Sequence, residues 1–235
     1  MLQQTQVARV IPAYGAFLRR FPTLGVLARA SLADVLRAWS GLGYNRRARD
    51  LQRVARAHPR ALPLDTAALD ALPGIGAYTA GAVACFAGGR HVAFADTNIR
   101  RVLGRFALGR IATEREAIAI DARLMPRRAD RWHHALMDLG ATICTARAPK
   151  CAECPLRAGC RSRGRVAAPQ RRRQAPFASS DRRVRGRIVA LLRERGMSVA
   201  GLQRAIDDDR VPRLVDALAT EGIVERSGRS VRLPL

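Results

Sequence analysis

Four cysteines crowd into seventeen residues: Cys144, Cys151, Cys154 and Cys160, spaced C-x6-C-x2-C-x5-C. Four thiolates in so short a loop can enclose one soft metal centre, and the compact spacing suits an iron–sulfur cube. Zinc also accepts four cysteines, so spacing alone leaves both open. The flanking residues Arg147, Lys150, Arg157, Arg161 and Arg163 surround the loop with positive charge. A structural metal centre inside a basic surface points first towards nucleic acid.

The charge balance agrees. A formal net charge of +23 over 235 residues exceeds what solubility requires, and a polyanionic partner is the natural explanation. Lys150 is the single lysine, so chemistry that needs a lysine amine has one candidate. Cys85 lies in an apolar run, Ala82–Ala87, and reads as core packing. The N-terminus shows no signal-peptide h-region, and no run of ~20 apolar residues offers a membrane span. Metal-bound thiols in a reducing cytoplasm, near the nucleoid, are therefore expected rather than disulfides.

Helix-period patterns dominate. Val7, Val10, Ile11, Tyr14, Phe17, Leu18 and Phe21 form one apolar stripe, and Leu32, Val35, Leu36 and Trp39 another behind a Ser31 N-cap. Further helices are predicted over 46–57, 65–72, 77–88, 97–108, 114–125 and 130–142, while strand-like alternation is scarce before residue 220. From Arg161 to Arg187 the chain carries ten arginines and one acid, a poor core builder that reads as a basic linker. Three more helices, 184–195, 199–206 and 211–221, precede a short hairpin, which is a winged-helix pattern.

In the segment Leu72-Pro73-Gly74-Ile75-Gly76-Ala77-Tyr78-Thr79, proline stops one helix, glycines make a tight turn, and the next helix starts with backbone donors that could meet a phosphate. This is helix–hairpin–helix geometry. Four further motifs accompany it: Met1-Leu-Gln-Gln-Thr-Gln-Val, Gly41-Leu-Gly-Tyr44, Asp96-Thr-Asn98 and Ala135-Leu-Met-Asp-Leu-Gly-Ala141, with the cysteine loop directly after. Together, over about residues 1–163, they closely resemble MutY-type adenine DNA glycosylases of the helix–hairpin–helix superfamily, and more loosely endonuclease III.

The resemblance implies an all-α fold over its span: a six-helix barrel with the hairpin (1–108) and a helical iron–sulfur domain (109–163). Composition and periodicity add a basic linker (164–182) and a winged-helix-like module (183–235). The resemblance also implies a monomeric base-excision-repair enzyme that flips adenine out of double-stranded DNA opposite 8-oxoguanine or guanine and hydrolyses its N-glycosidic bond. It gives Asp96 the role of stabilising the sugar cation, although the residue is equally well placed to N-cap the helix beginning at Thr97. Tyr78 stands where endonuclease III-like enzymes carry a Schiff-base lysine; a phenol forms no imine, so monofunctional hydrolysis is expected. Gln4 and Tyr44 resemble wedge residues, Gln3 an orphan-strand contact, and Gly74 and Gly76 the phosphate-binding hairpin. Asn98 and Asp138 match positions near the adenine pocket, Asp138 alternatively being a buried carboxylate paired with an arginine. Cys144, Cys151, Cys154 and Cys160 match the ligands of a [4Fe–4S] cluster. His58, His91, His133 and His134 show no shared ligand spacing and read as solvated or packing residues, and Trp39 and Trp132 as core.

Two departures stand out. The family's acid–base glutamate lies two positions ahead of the Met-Leu-Gln-Gln run, which here begins at Met1, so the 235 residues as written are expected to act poorly until the upstream segment is restored. Residues 183–235 are also too short for the nucleotide-hydrolase-like domain that often reads 8-oxoguanine in this family. The alternatives are a thymine or uracil mismatch glycosylase on the same scaffold, or a DNA-binding metal protein without catalysis.

Overall fold

The computed structural model describes residues 1–2, 5–164 and 176–235, so the Gln3 and Gln4 assignments and most of the basic linker lie outside the described residues. Twelve α-helices and three short strands appear among them. They gather into two compact units that do not follow chain order: one from Met1–Leu62 and Arg173–Leu235, the other from Pro63–Arg172.

The first unit opens with α1 (Val7–Arg20), α2 (Leu24–Arg29), α3 (Leu32–Ala38) and α4 (Arg46–Ala57). Ser31 caps α3 as its sequence suggests, its hydroxyl accepting from the Asp34 N–H at 3.0 Å. Helix α2 was not legible from periodicity, because six residues are too few to show it; its signal is Thr23, which accepts from Val26 N–H. The α1 stripe is only partly core. Val10, Phe17 and Phe21 are buried, with Phe17 edge-on to Trp39 at 5.8 Å, whereas Val7, Ile11, Tyr14 and Leu18 are exposed. The buried positions lie along one edge of the stripe and the exposed ones along the other, so packing covers only part of an otherwise ordinary apolar face.

The C-terminal segment supplies α10 (Asp181–Glu194), β1 (Met197–Ser198), α11 (Val199–Ile206), α12 (Val211–Thr220), β2 (Glu225–Ser227) and β3 (Ser230–Arg232). The sheet order is β1-β3-β2, antiparallel throughout, so the expected hairpin gains a third strand and the topology is that of a winged helix. This module shares a core with α1–α4: Val184, Ile188, Val189 and Leu192 of α10 belong to the same buried cluster as Val35, Leu36, Trp39 and Leu42. Polar contacts close the seam. Arg193 Nε donates to Leu36 O at 3.1 Å, Arg37 Nε to Arg193 O at 3.1 Å, and Ala33 N–H to Pro234 O at 2.8 Å.

The second unit holds α5 (Thr66–Asp70), α6 (Ala77–Phe86), α7 (Thr97–Leu108), α8 (Glu114–Leu124), α9 (Ala129–Thr142) and the cysteine loop. Its core forms around Phe94, Ile99, Leu103, Ala117 and Leu136, with Cys85 buried among them as predicted. Helix α8 starts with a capping box in which Thr113 and Glu116 satisfy each other's backbone donors.

Candidate functional site

The turn between α5 and α6 forms where Pro73 and two glycines sit. Gly74 adopts φ +74°, a left-handed conformation that glycine takes without steric cost, and Ile75 N–H closes the turn on Leu72 O at 3.1 Å. Gly76 is the N-cap of α6 and has no side chain to cover the first turn, which leaves the helix mouth open to an anionic group.

Asp96 is the N-cap of α7, its Oδ1 accepting from Ile99 N–H at 2.7 Å. The capping interpretation is therefore correct, and it leaves the second oxygen for other work. Oδ2 accepts from Asn98 Nδ2 at 3.0 Å, and Asn98 Oδ1 accepts from Arg101 Nη2 at 2.6 Å. Arg101 is buried and reaches on, donating to Gly140 O at 2.6 Å and through Nε to Cys144 O at 2.7 Å. One hydrogen-bonded path thus runs from the Asp96 carboxylate to the first cysteine's backbone. Arg101 is not singled out by the sequence, since its neighbours on the helix surface, Thr97, Asn98, Gly104 and Arg105, form no apolar face that would mark it as buried.

Tyr78, on the first turn of α6, is half-buried with its ring 5.8 Å from Phe94. Burial, and then the negative charge of Asp96, push its phenol above the ordinary value, so the hydroxyl keeps its proton and stays a donor. Lys150 belongs to the cysteine loop, its N–H bonded to Ile143 O. Asp138 is exposed on α9, which removes the buried-carboxylate alternative; its backbone carbonyl accepts from Thr142 Oγ1 at 2.7 Å.

Gly140 explains itself through Asn98. A Cβ at position 140 would lie 2.6 Å from Asn98 Cβ and 3.2 Å from Asn98 Cα. Gly140→Ala should therefore push the Asn98–Arg101 path out of line and lower the unfolding free energy by about 1–3 kcal/mol, the usual cost of overpacking. Denaturant unfolding of the cluster-loaded protein checks this; an unchanged midpoint and slope would contradict the close approach.

The four cysteines form no disulfide and line one pocket, together with Arg105, Ile143, Pro149, Lys150 and Arg157. Among the described residues no three His, Cys, Asp or Glu side chains are grouped to hold a single ion. Four thiolates that share a pocket without meeting at one point fit a [4Fe–4S] cluster better than one zinc. Arg105, buried on α7, donates to Cys144 Sγ at 3.4 Å, Thr145 O at 2.7 Å and Ala146 O at 2.9 Å. When bound, the cluster cross-links the loop and fixes it against α7, the helix whose cap is Asp96.

In the first unit, Tyr44 ends a Gly41-Leu-Gly-Tyr turn at φ +49°, a strained region for an aromatic residue, and the residue is 45% exposed. Arg47 braces it from beneath, its guanidinium 5.3 Å from the Tyr44 ring and 5.6 Å from the Trp39 ring. A flat ring held out of the surface at backbone cost suits stacking on a nucleobase.

His133 takes the packing role, stacked on Phe94 with ring centroids 4.0 Å apart, and adds a polar partner that the sequence did not show. It is fully buried and bonded to Asp121, which is also fully buried and accepts from Trp132 Nε1 at 2.6 Å. Asp121 is one of three acids in the 114–125 helical pattern, and nothing there marks it as the buried one.

Residues 1–126 match the HhH-GPD superfamily of base excision DNA repair proteins, and residues 144–160 the iron–sulfur binding domain of endonuclease III. The chain is 42% identical over 241 residues to the adenine DNA glycosylase of Mycolicibacterium smegmatis, covering 97% of this chain and 82% of that relative. It is 41% identical over 244 residues to the adenine DNA glycosylase of Mycobacterium tuberculosis, covering 97% and 80%. Among solved structures, a thermostable thymine-DNA glycosylase aligns with a TM-score of 0.61 and 26% identity, over 70% of this chain and 80% of that one.

Proposed function

The chain belongs to the helix–hairpin–helix superfamily of base excision DNA repair proteins and, within it, to the adenine DNA glycosylases; from that premise we propose that it hydrolyses the N-glycosidic bond of adenine paired with 8-oxoguanine or guanine in duplex DNA. The observation that carries the mechanism is the divided labour of Asp96. One oxygen caps α7 and so fixes the side chain, while the other, oriented by Asn98, remains a carboxylate edge.

Inside the stack the sugar–base bond is out of reach, so the adenosine must be everted. Tyr44 is suited to fill the vacated space by stacking, and the α6 mouth at Gly76 to hold a backbone phosphate. As the C1′–N9 bond breaks, its electron pair leaves with adenine, which takes up a proton, and positive charge builds on the sugar. A fixed carboxylate nearby stabilises that charge without reorganising. Water then adds to C1′ and loses a proton. Tyr78, protonated and close enough to sense the Asp96 charge, supplies a neutral donor beside it and offers no amine for an imine. The product is an abasic site in an unbroken strand.

The direct test incubates the full-length protein with duplexes carrying A opposite 8-oxoguanine, A opposite G, T opposite G and U opposite G. Adenine release without strand cleavage is the expected outcome. Preferential release of thymine or uracil would replace this reading with the mismatch alternative. Binding to the same duplexes should weaken steeply with salt, with a log–log slope of about −0.9 per phosphate contacted. A flat salt response would remove duplex DNA as the partner of the +23 charge.

A further inference from the structure

The segment that delivers Asp96 to the head of α7 runs through residues 91–96 as neither helix nor strand, so no regular ladder fixes it. Its anchor stands on α8. Asp121 Oδ2 accepts from the Phe94 backbone N–H at 3.2 Å and faces His133 Nε2 at 2.7 Å, while Oδ1 accepts from Trp132 Nε1 at 2.6 Å. On its other side His133 Nδ1 lies 2.8 Å from Ala129 O, with Cys85 Sγ 3.7 Å away. With Nδ1–H donating to the carbonyl, the His133–Asp121 contact needs one further proton held between ring and carboxylate.

Burying such a pair is a poor route to stability compared with an apolar filling of the same shape. What it supplies is direction, and the direction converges on Phe94. The Phe94 ring stacks on His133 with centroids 4.0 Å apart and planes at 22°, and it also meets Tyr78 and Phe86 edge-on. Phe94 precedes Asp96 by two residues, so its backbone and ring tie both proposed active groups to α8 and α9. We propose that Asp121, seated against His133, is a positioning residue for adenine release: it locks the backbone at Phe94 and thereby sets where the Asp96 carboxylate and the Tyr78 hydroxyl stand.

This rests on the adenine glycosylase reading, and hydrogen-bond chemistry separates the two. In Asp121→Asn, Oδ1 still accepts from Trp132, and the new amide donates to a neutral His133 whose Nδ1–H still meets Ala129 O. Phe94 N–H then faces an NH₂ group and loses its acceptor. Trp132→Phe is the matched control, removing a donor to the same carboxylate and nothing from Phe94. Single-turnover adenine release on an 8-oxoguanine:A duplex should slow roughly 10–100-fold in D121N, the cost of a slightly misplaced group, and less than about threefold in W132F. Affinity for a duplex bearing a non-hydrolysable 2′-fluoroadenosine, and cluster absorbance per chain, should match wild type in both.

Wild-type release by D121N, or equal slowing in both variants, overturns the proposal. A readout without chemistry stands beside it: the Phe94 amide of the wild-type chain should resist hydrogen exchange despite lying outside any helix or strand, and rapid exchange would also overturn the proposal. A wild-type protein that protects Phe94 yet releases no adenine would sink the functional reading and leave the anchor intact.

Discussion

Asp96→Asn should slow adenine release by about 10²–10³-fold, the loss expected when one preorganised electrostatic group is withdrawn from a developing charge, while affinity for the lesion duplex stays close to wild type. The substitution is informative because asparagine is as good an N-cap as aspartate. Its side-chain oxygen can still accept from Ile99 N–H, so α7 keeps its start and the fold keeps its Tm. Asn98 keeps its oxygen on Arg101 Nη2, so its amide loses the Asp96 acceptor together with the charge. A variant that unfolds despite its intact cap would show that the charge serves the fold; a variant that folds, binds and excises normally would show that no carboxylate is needed. Asp96→Ala differs in kind, since it removes cap and charge together and should also cost stability by about 1 kcal/mol.

Deleting residues 176–235 should abolish cooperative folding of the first unit rather than trim off an accessory domain. The winged-helix module contributes Ile188, Val189, Leu202, Val215 and Ile223, all fully buried, to the same core that holds Val35 and Leu36 of α3. Without it the α3 face would lie in water, Ala33 N–H would lose its Pro234 acceptor, and Leu36 O would lose Arg193. A single truncation such as Leu192→Ala already removes about 2–5 kcal/mol, a large part of a domain's ordinary 5–15 kcal/mol. Thermal unfolding of the truncated chain should show no cooperative transition for this unit and a strong tendency to aggregate. A truncated protein that melts like the parent would mean the module is a separable appendage. The chemistry of α12 points the same way: Arg213 is paired with Asp181 and Asp216 with Arg226, so the helix that reads DNA in many winged helices spends its exposed charges on its own module.

The sequence carried the helices well because their physics is local. Helices α4 and α7 begin and end where periodicity and caps place them, at Arg46–Ala57 and Thr97–Leu108. The cysteine spacing and the Pro-Gly-x-Gly turn announced themselves for the same reason: each packs its constraint into a few adjacent residues. Long-range relations left no such trace. Arg101 reaching Cys144, Asp121 meeting His133, and Arg193 seating on α3 join residues 43, 12 and 157 positions apart. Nothing in composition says that an arginine on α7 or an aspartate on α8 is buried, because a charged residue on a helix is usually solvated. The exposure of Val7, Ile11, Tyr14 and Leu18 misled for the complementary reason, since periodicity shows that a face is apolar and not that it is covered. The two-unit arrangement, with the C-terminal module completing the N-terminal core, is a property of the folded chain alone.

The central claim is that a fixed Asp96 carboxylate stabilises the sugar cation of an everted adenosine. A crystal structure of the full-length, cluster-loaded protein on an 8-oxoguanine duplex with 2′-fluoroadenosine opposite tests it most directly. The account predicts the base out of the stack and an Asp96 oxygen about 3–3.5 Å from C1′, the separation of groups poised to react. An everted adenosine whose C1′ lies well beyond contact with Asp96, with another group or bulk water against the sugar, would contradict it.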